Sequence, residues 1–220
     1  YDRRGVGETG GGDWRRVGFT QNRDDAAAVL RGFRQHPKVR ADALAIVGHS
    51  EGALHATALA AAGQTAAVVL LAGTARPGAD VLRYQLGAVS ADIPAPVRFL
   101  FRLLRTSVAE QQAQSLAKIT ATTDDVVRIR GARVNARWMR EFLVYDPRRD
   151  LVMIQVPVLA ITGAKDLQVD PADLEVIAEL VPGPVDTHCI PDLTHILRRD
   201  PGPASLRHYR RLLREPVDAQ

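Results

Sequence analysis

A serine at position 50 lies in the pentapeptide Gly48-His49-Ser50-Glu51-Gly52, a setting that could turn a hydroxyl into a nucleophile. Serine attacks poorly until a base takes its proton, and the base must be oriented by a third group. The pattern G-x-S-x-G has physical content when a strand precedes it and a helix follows. The serine then occupies a tight, strained turn, and glycines two positions either side let strand and helix approach without a side-chain clash. Its hydroxyl is lifted above the carboxyl end of the strand, where the helix N-terminus favours developing negative charge. The Glu51 side chain reads as a stabiliser of that helix start or as part of a pocket lining. The same pentapeptide also arises by chance in small-residue loops, so its flanks decide.

Groups able to serve as acid and base come later in the chain. Asp166 follows an apolar run at 156–162, and His195 follows a weaker run at 185–190 after a short loop holding Pro191 and Asp192. Both fall where strands end, the edge at which active groups gather in doubly wound sheets. Asp170, Asp173 and Asp192 compete with Asp166, although Asp170 better suits capping a helix that starts near Pro171. His188 lies inside the 185–190 run and is expected to point into the sheet. His49 adjoins Ser50, while His36, His55 and His208 lack a strand-end context. A lone histidine is more often a surface or satisfied residue than a catalyst, and only position 195 has the surroundings to raise it above that. No His/Cys/Asp/Glu group has metal-ligand spacing. Gly10-Gly11-Gly12 leads into Asp13 and Trp14 rather than Lys-Ser/Thr, so it is no phosphate loop. Neither a metal nor another cofactor is expected.

The elements that must position these groups follow from the hydrophobic pattern. Residues 43–48 (ALAIVG), 66–72 (AAVVLLA) and 156–162 (VPVLAIT) are short apolar runs of the kind buried in parallel sheets, with 185–190 (VDTHCI) a weaker fourth. Alanine-rich 53–62 predicts a helix, as do 23–34 behind an Asn22 cap, 172–181 opened by Pro171, and 203–214. Strand and helix in alternation predict an α/β protein with a mostly parallel, doubly wound sheet. The interval 76–150 breaks the rhythm. It carries Pro77, Pro94 and Pro96, then apolar residues at helical spacing (Phe99, Leu100, Leu103, Leu104, then Val134, Trp138, Phe142) and no convincing strand. It reads as a helical insertion, with Trp138 and Phe142 in its packing.

Composition excludes other classes. The chain has 220 residues, 46% hydrophobic and 25% charged, enough for one globular domain with an insertion. Its net charge of +4 is modest, and almost all the cations are arginines with acids nearby, so nucleic acid is not an expected partner. No stretch approaches the roughly 18 apolar residues that span a bilayer. Cys189, the lone cysteine, permits no intrachain disulfide and reads as a buried small hydrophobe.

The motifs together resemble the α/β-hydrolase superfamily. Beside the pentapeptide after ALAIV, Tyr1-Asp2-Arg3-Arg4-Gly5-Val6-Gly7 resembles the D-x-R-G-x-G loop that follows the fourth strand of those enzymes. Asp146-Pro147, Val156-Pro157-Val158-Leu159 and Gly163-Ala164-Lys165-Asp166 resemble the segment around their seventh strand, and Leu193-Thr194-His195 their histidine loop. The likeness covers 1–75 and 145–200 and is nearest to bacterial hydrolases of the serine-aminopeptidase and esterase-like group. It implies the chain order serine, acid, histidine, hence Ser50 as nucleophile, Asp166 as acid and His195 as base. It implies one oxyanion donor, the backbone N–H of Glu51, with His49 in a structural role. The implied activity is cleavage of a small-molecule carboxylic ester through an acyl-serine. A peptidase, an acyltransferase or a non-catalytic binding protein would share the fold. A cytoplasmic location is expected, and oligomeric state is left open.

The resemblance also implies that the first strands of the fold, and the loop supplying a second oxyanion donor, lie upstream of residue 1. Without them the strand at 43–48 would present an open apolar edge, an aggregation hazard. The sequence is therefore expected to be an N-terminally truncated form, with a hydrolase core at 1–75 and 151–220 and a helical cap at 76–150.

Overall fold

β-Branched and aliphatic residues concentrate where the chain is extended, and alanine-rich or amphipathic stretches where it is helical. The computed structural model describes residues 2–103 and 106–218. Tyr1 and Leu104, each part of a pattern above, lie outside them, as does the Leu100 side chain. In chain order the elements are α1 (Phe19–Arg34), β1 (Ala45–His49), α2 (Glu51–Ala61), β2 (Ala67–Leu71), α3 (Gly78–Ala91), α4 (Ala95–Leu103) and α5 (Val108–Thr120). They continue with β3 (Val126–Ile129), β4 (Ala132–Asn135), α6 (Ala136–Val144), α7 (Arg148–Leu151), β5 (Val158–Gly163), α8 (Asp173–Leu180), β6 (Val185–Ile190) and α9 (Tyr209–Leu212).

The chain divides into two compact units, Tyr1–Gly32 with Ile93–Tyr145, and Phe33–Asp92 with Asp146–Gln220. The second holds a four-stranded sheet in the order β1-β2-β5-β6, every pair parallel. Gly48 and His49 lie in register with Leu70 and Leu71, and Gly163 with Ile190, so all the strand ends of interest fall on one edge. Parallel strands joined through helices are the α/β arrangement that the alternating sequence pattern predicts. Ala53, Ala56 and Ala60 of α2, Val68 and Leu70 of β2, and Leu151, Ile154, Val158 and Ile177 form its buried core. Small alanines let α2 lie close to the strands, and one Ile177→Ala change would cost about 2–5 kcal/mol. Within the described residues β1 has a neighbour on one side only, and Val47 is 65% exposed.

The first unit is built around Phe19, whose ring meets Trp138, Phe142 and Tyr145 at centroid distances of 6.4, 6.0 and 5.0 Å. Trp138 and Phe142 stack at 4.9 Å, as expected of packing residues on one helix face. Asn135 caps α6 by accepting the Trp138 N–H at 2.9 Å, and its amide donates to the carbonyl of Val17 at 2.7 Å. Asp2 accepts the Glu8 N–H, and Arg4 grips Asp25 through two nitrogens at 2.8 and 2.6 Å, so both serve the loop. The Arg4 bond holds the Asp25 carboxyl below the usual carboxylate range.

Four local expectations are revised. The interval 76–150 is not strand-free: β3 and β4 pair as an antiparallel hairpin, turning at Arg130 (φ 50°) and Gly131 (φ 83°). Two positive φ values match the tight hairpin turn that twists with its strands. Helix α1 starts before Asn22, which is buried in its second turn rather than capping it. The final helix shrinks to a 3-10 turn (Leu206–His208) and α9, because Ser205 is extended (φ −155°) and caps the Arg207 N–H. Cys189 and His188 are exposed rather than buried, on a strand that among the described residues has a neighbour on one side only.

Candidate active site

The strand β1 ends in Gly48-His49, and α2 begins at Glu51, so Ser50 is the single residue on which the chain reverses. Its backbone (φ 55°, ψ −119°) is one that L-residues rarely adopt, the sort of stored strain found at functional turns. The turn is held by Ser50 N–H donating to Leu71 O at 3.0 Å and Ala53 N–H donating to Ser50 O at 2.9 Å. Gly48 is needed there: a Cβ on it would sit 2.2 Å from Gly52 O. Gly52 is not constrained in this way, because a Cβ there meets nothing within 4 Å.

Strand β5 ends at Gly163, and the chain turns at once, Asp166 N–H donating to Gly163 O at 3.0 Å. The Asp166 carboxylate is wholly buried. Its Oδ1 accepts the N–H groups of Gln168 and Val169 at 2.8 and 2.9 Å, and its backbone carbonyl accepts the Tyr84 hydroxyl at 2.9 Å. Burial, with Asp170 and Asp166 near, pushes the Tyr84 phenol up to about 12, so it stays a donor. Strand β6 runs into a hairpin closed by Asp200 N–H donating to Asp192 O at 2.8 Å, with His195 near its tip.

These three side chains meet. His195 Nδ1 lies 2.9 Å from Asp166 Oδ2, and its Nε2 lies 2.9 Å from Ser50 Oγ. An ionised carboxylate can only accept, so Nδ1 carries the proton and Nε2 is left to receive the serine's. The arrangement can lower the barrier to proton removal from the serine while the buried carboxylate steadies the imidazolium. Glu51, whose N–H is the expected oxyanion donor, opens the 11-residue helix α2 directly behind the hydroxyl. Its side chain lies 3.2 Å from His55 Nε2 one turn on.

The rival candidates are engaged elsewhere. Asp170 accepts the Ala172 N–H at 3.0 Å in the turn ahead of α8, whose cap residue is Ala172 without a side-chain cap bond, so the capping role expected of Asp170 is not taken up. Asp170 and Asp173 share Arg76 at 2.6 Å each, and Asp173, 1% exposed, also accepts from Thr74. Asp192 pairs with Lys165. Among the histidines, His188 faces Asp186, His208 faces Asp200, and the Nδ1 of His36 accepts the Lys38 N–H. His49 donates from Nε2 to the His195 carbonyl at 2.8 Å, with ring centroids 5.0 Å apart. Desolvation on that side holds its imidazole below the usual histidine range, which keeps it neutral. Sequence reasoning missed Tyr84, Arg76 and Lys165, which brace the loops that bear the acid and the base. Only Lys165, beside Asp166 in the chain, left any trace in the sequence. Among the described residues no group of three or more His, Cys, Asp or Glu could hold a metal ion, and no helix is long and apolar enough to cross a membrane.

Comparisons with known proteins show the family and the fold. A family model described as serine aminopeptidase, S33, matches residues 1–202. The chain is similar in fold to Est1E from Butyrivibrio proteoclasticus, solved with ferulic acid bound, at TM-score 0.59 and 16% identity over 88% of this chain and 67% of that one. It is similar to an alpha/beta fold family hydrolase from Bacillus anthracis str. Sterne at TM-score 0.55 and 16% identity, covering 88% of this chain and 74% of that one. A third likeness is to the N-formylmaleamic acid deformylase of Pseudomonas putida S16, at TM-score 0.51 and 16% identity, over 96% and 79%. At such identities the likeness is one of fold. No curated protein sequence matches the chain.

Proposed function

The chain belongs to the serine aminopeptidase S33 family of hydrolases, and from that premise we propose that it cleaves small-molecule carboxylic esters through an acyl-serine intermediate. One observation carries the reading: the unbroken run of hydrogen bonds from Asp166 through His195 to Ser50. Ser50 Oγ attacks the ester carbonyl carbon as its proton passes to His195 Nε2. Asp166 holds the imidazole in the productive tautomer and steadies its charge. The oxyanion that forms is met by the Glu51 N–H at the start of α2, where the helix dipole adds to the attraction. His195 then returns the proton to the leaving alkoxide. A water activated by the same imidazole hydrolyses the acyl-serine and regenerates the hydroxyl. No cofactor is called for in this sequence of steps.

The family description favours a second reading, in which the same three residues cleave an amide at a peptide N-terminus. The two differ in leaving group, which neither fold nor serine chemistry sets. A fluorophosphonate probe tests the common ground: we expect labelling that disappears in Ser50→Ala, and no labelling of the parent would refute the serine-hydrolase reading. p-Nitrophenyl esters set against aminoacyl-amides then separate the two. Short-chain esters are expected to be cleaved faster, and a preference for amides would replace esterase by peptidase.

A further inference from the structure

We propose that Lys165 is a positioning residue, a clasp that fixes the His195 imidazole against Asp166 by gripping both arms of the hairpin that carries the histidine. The inference deepens the serine-hydrolase reading and rests on it.

The hairpin is held together well enough by itself. Asp200 N–H donates to Asp192 O at 2.8 Å, Leu193 and Arg199 form an antiparallel bridge, and Thr194 N–H donates to Arg198 O at 3.0 Å. Asp192 and Leu197 turn the chain at φ 61° and 58°. None of those bonds aims the hairpin at the sheet edge where Asp166 and Ser50 wait. An internally braced hairpin can swing as a body about its two stems. His195 lies near the tip, so a small rotation at the stems becomes a large displacement of the imidazole.

Lys165 spans those stems. Its backbone N–H donates to Leu193 O at 3.0 Å. Its ammonium reaches Asp192 Oδ1 at 2.5 Å on the incoming arm, and Asp200 O and Gly202 O at 2.5 and 2.7 Å on the outgoing arm. A lysine ammonium has three N–H donors, and three oxygens take them. The next residue in the chain is Asp166 itself. One side chain thus ties the acid's loop to both sides of the base's hairpin, and it does so with charge-assisted bonds from a partly buried group. The outgoing arm is anchored further: the buried Asp200 carboxylate meets His208 Nδ1 at 2.6 Å and Arg211 at 3.2 Å. On the opposite side His49 holds the His195 carbonyl. Lys165 touches no reacting atom, so its part is to place the ring, not to take part in the chemistry.

Lys165→Met keeps most of the stem and removes the donors. Asp192→Asn, at a side chain 46% exposed, weakens one of the three bonds and serves if the methionine variant fails to fold. Two readouts are taken on each: p-nitrophenyl ester kinetics per fluorophosphonate-titrated site, and hydrogen exchange by peptide. For Lys165→Met we expect kcat to fall about 10–100-fold, the scale of a misplaced catalytic group. KM should stay within about twofold. Faster exchange should be confined to 192–202, and Asp192→Asn should show the same pattern more weakly. An unchanged kcat per titrated site, a loss confined to KM, or faster exchange spread through the whole sheet would each overturn the clasp. If the parent protein takes no probe at Ser50, the hydrolase reading fails, and the exchange pattern alone then decides whether Lys165 holds the hairpin.

Discussion

Gly163→Ala is the most searching single change available, because it moves the base without touching any of the three reacting side chains. Gly163 ends β5 against the hairpin stem, and a Cβ on it would lie 2.0 Å from Leu193 O and 2.4 Å from Leu193 C. Ordinary contact begins at 3.4 Å, so Leu193 must retreat by about 1.4 Å, the difference between the two, two residues before His195. The added methyl meets backbone atoms of Leu193, so no rotamer change relieves the clash. Overpacking of this kind costs about 1–3 kcal/mol, and in a chain of this size each kcal/mol lowers Tm by about 2–4 °C. A melt depressed by roughly 2–12 °C is therefore expected. The catalytic effect should be larger than the thermal one. His195 Nε2 sits 2.9 Å from Ser50 Oγ, and a shift near 1 Å breaks that bond, which corresponds to about 100-fold in turnover. The assay is p-nitrophenyl ester hydrolysis at a temperature where the variant is fully folded, with circular dichroism for the melt. Wild-type turnover at an unchanged Tm would refute the claim that the close approach of β5 to the hairpin sets the imidazole's position.

Other perturbations separate the roles further. Asp166→Asn keeps the shape but removes the acceptor that selects the His195 tautomer; turnover should fall about 10³–10⁴-fold while probe-free stability changes little, read by ester kinetics and thermal melting. Gly48→Ala drives a Cβ into Gly52 O and should abolish Ser50 labelling by displacing the turn, measured with the fluorophosphonate probe. Asp173→Ala strands Arg76 and Thr74 and should destabilise by about 1–3 kcal/mol in urea titration, the guanidinium's partial exposure and its bond to Asp170 limiting the loss. Burial alone would raise the Asp200 carboxyl, but the His208 and Arg211 bonds outweigh it and hold the group below the usual carboxylate range. Its stabilising contribution is thus present above the unfolded-state value of about 3.9 and is lost as pH falls through the lower folded value. The Tm gap between parent and Asp200→Asn should be open at neutral pH and narrow on acidification below about pH 4.

Local chemistry was legible in the sequence wherever a short stretch determines its own conformation. Ala43 to Ala62 reads as strand, turn and helix because apolar residues, a glycine at 48 and an alanine run each favour one local state, and the structure has β1, Ser50 and α2 there. The strand ends before Asp166 and before the His195 hairpin were visible for the same reason, and the chain order serine, acid, histidine implied by the family resemblance then singled out those two residues. What no local pattern contains is which strand neighbours which. In the order β1-β2-β5-β6, β6 is an outer strand among the described residues, and Cys189 and His188 on it are exposed although their run looked buried. The β3–β4 hairpin was masked because Val126–Asn135 is rich in arginine, and only the pairing around Arg130-Gly131 reveals it. The bracing of the site by Lys165, Tyr84 and Arg76 joins positions far apart along the chain, from Arg76 to Asp173 and from Lys165 to Asp200 and Gly202. Residue types and spacing determine which groups could react; the long-range contacts that hold them within hydrogen-bond reach exist only once the sheet has formed.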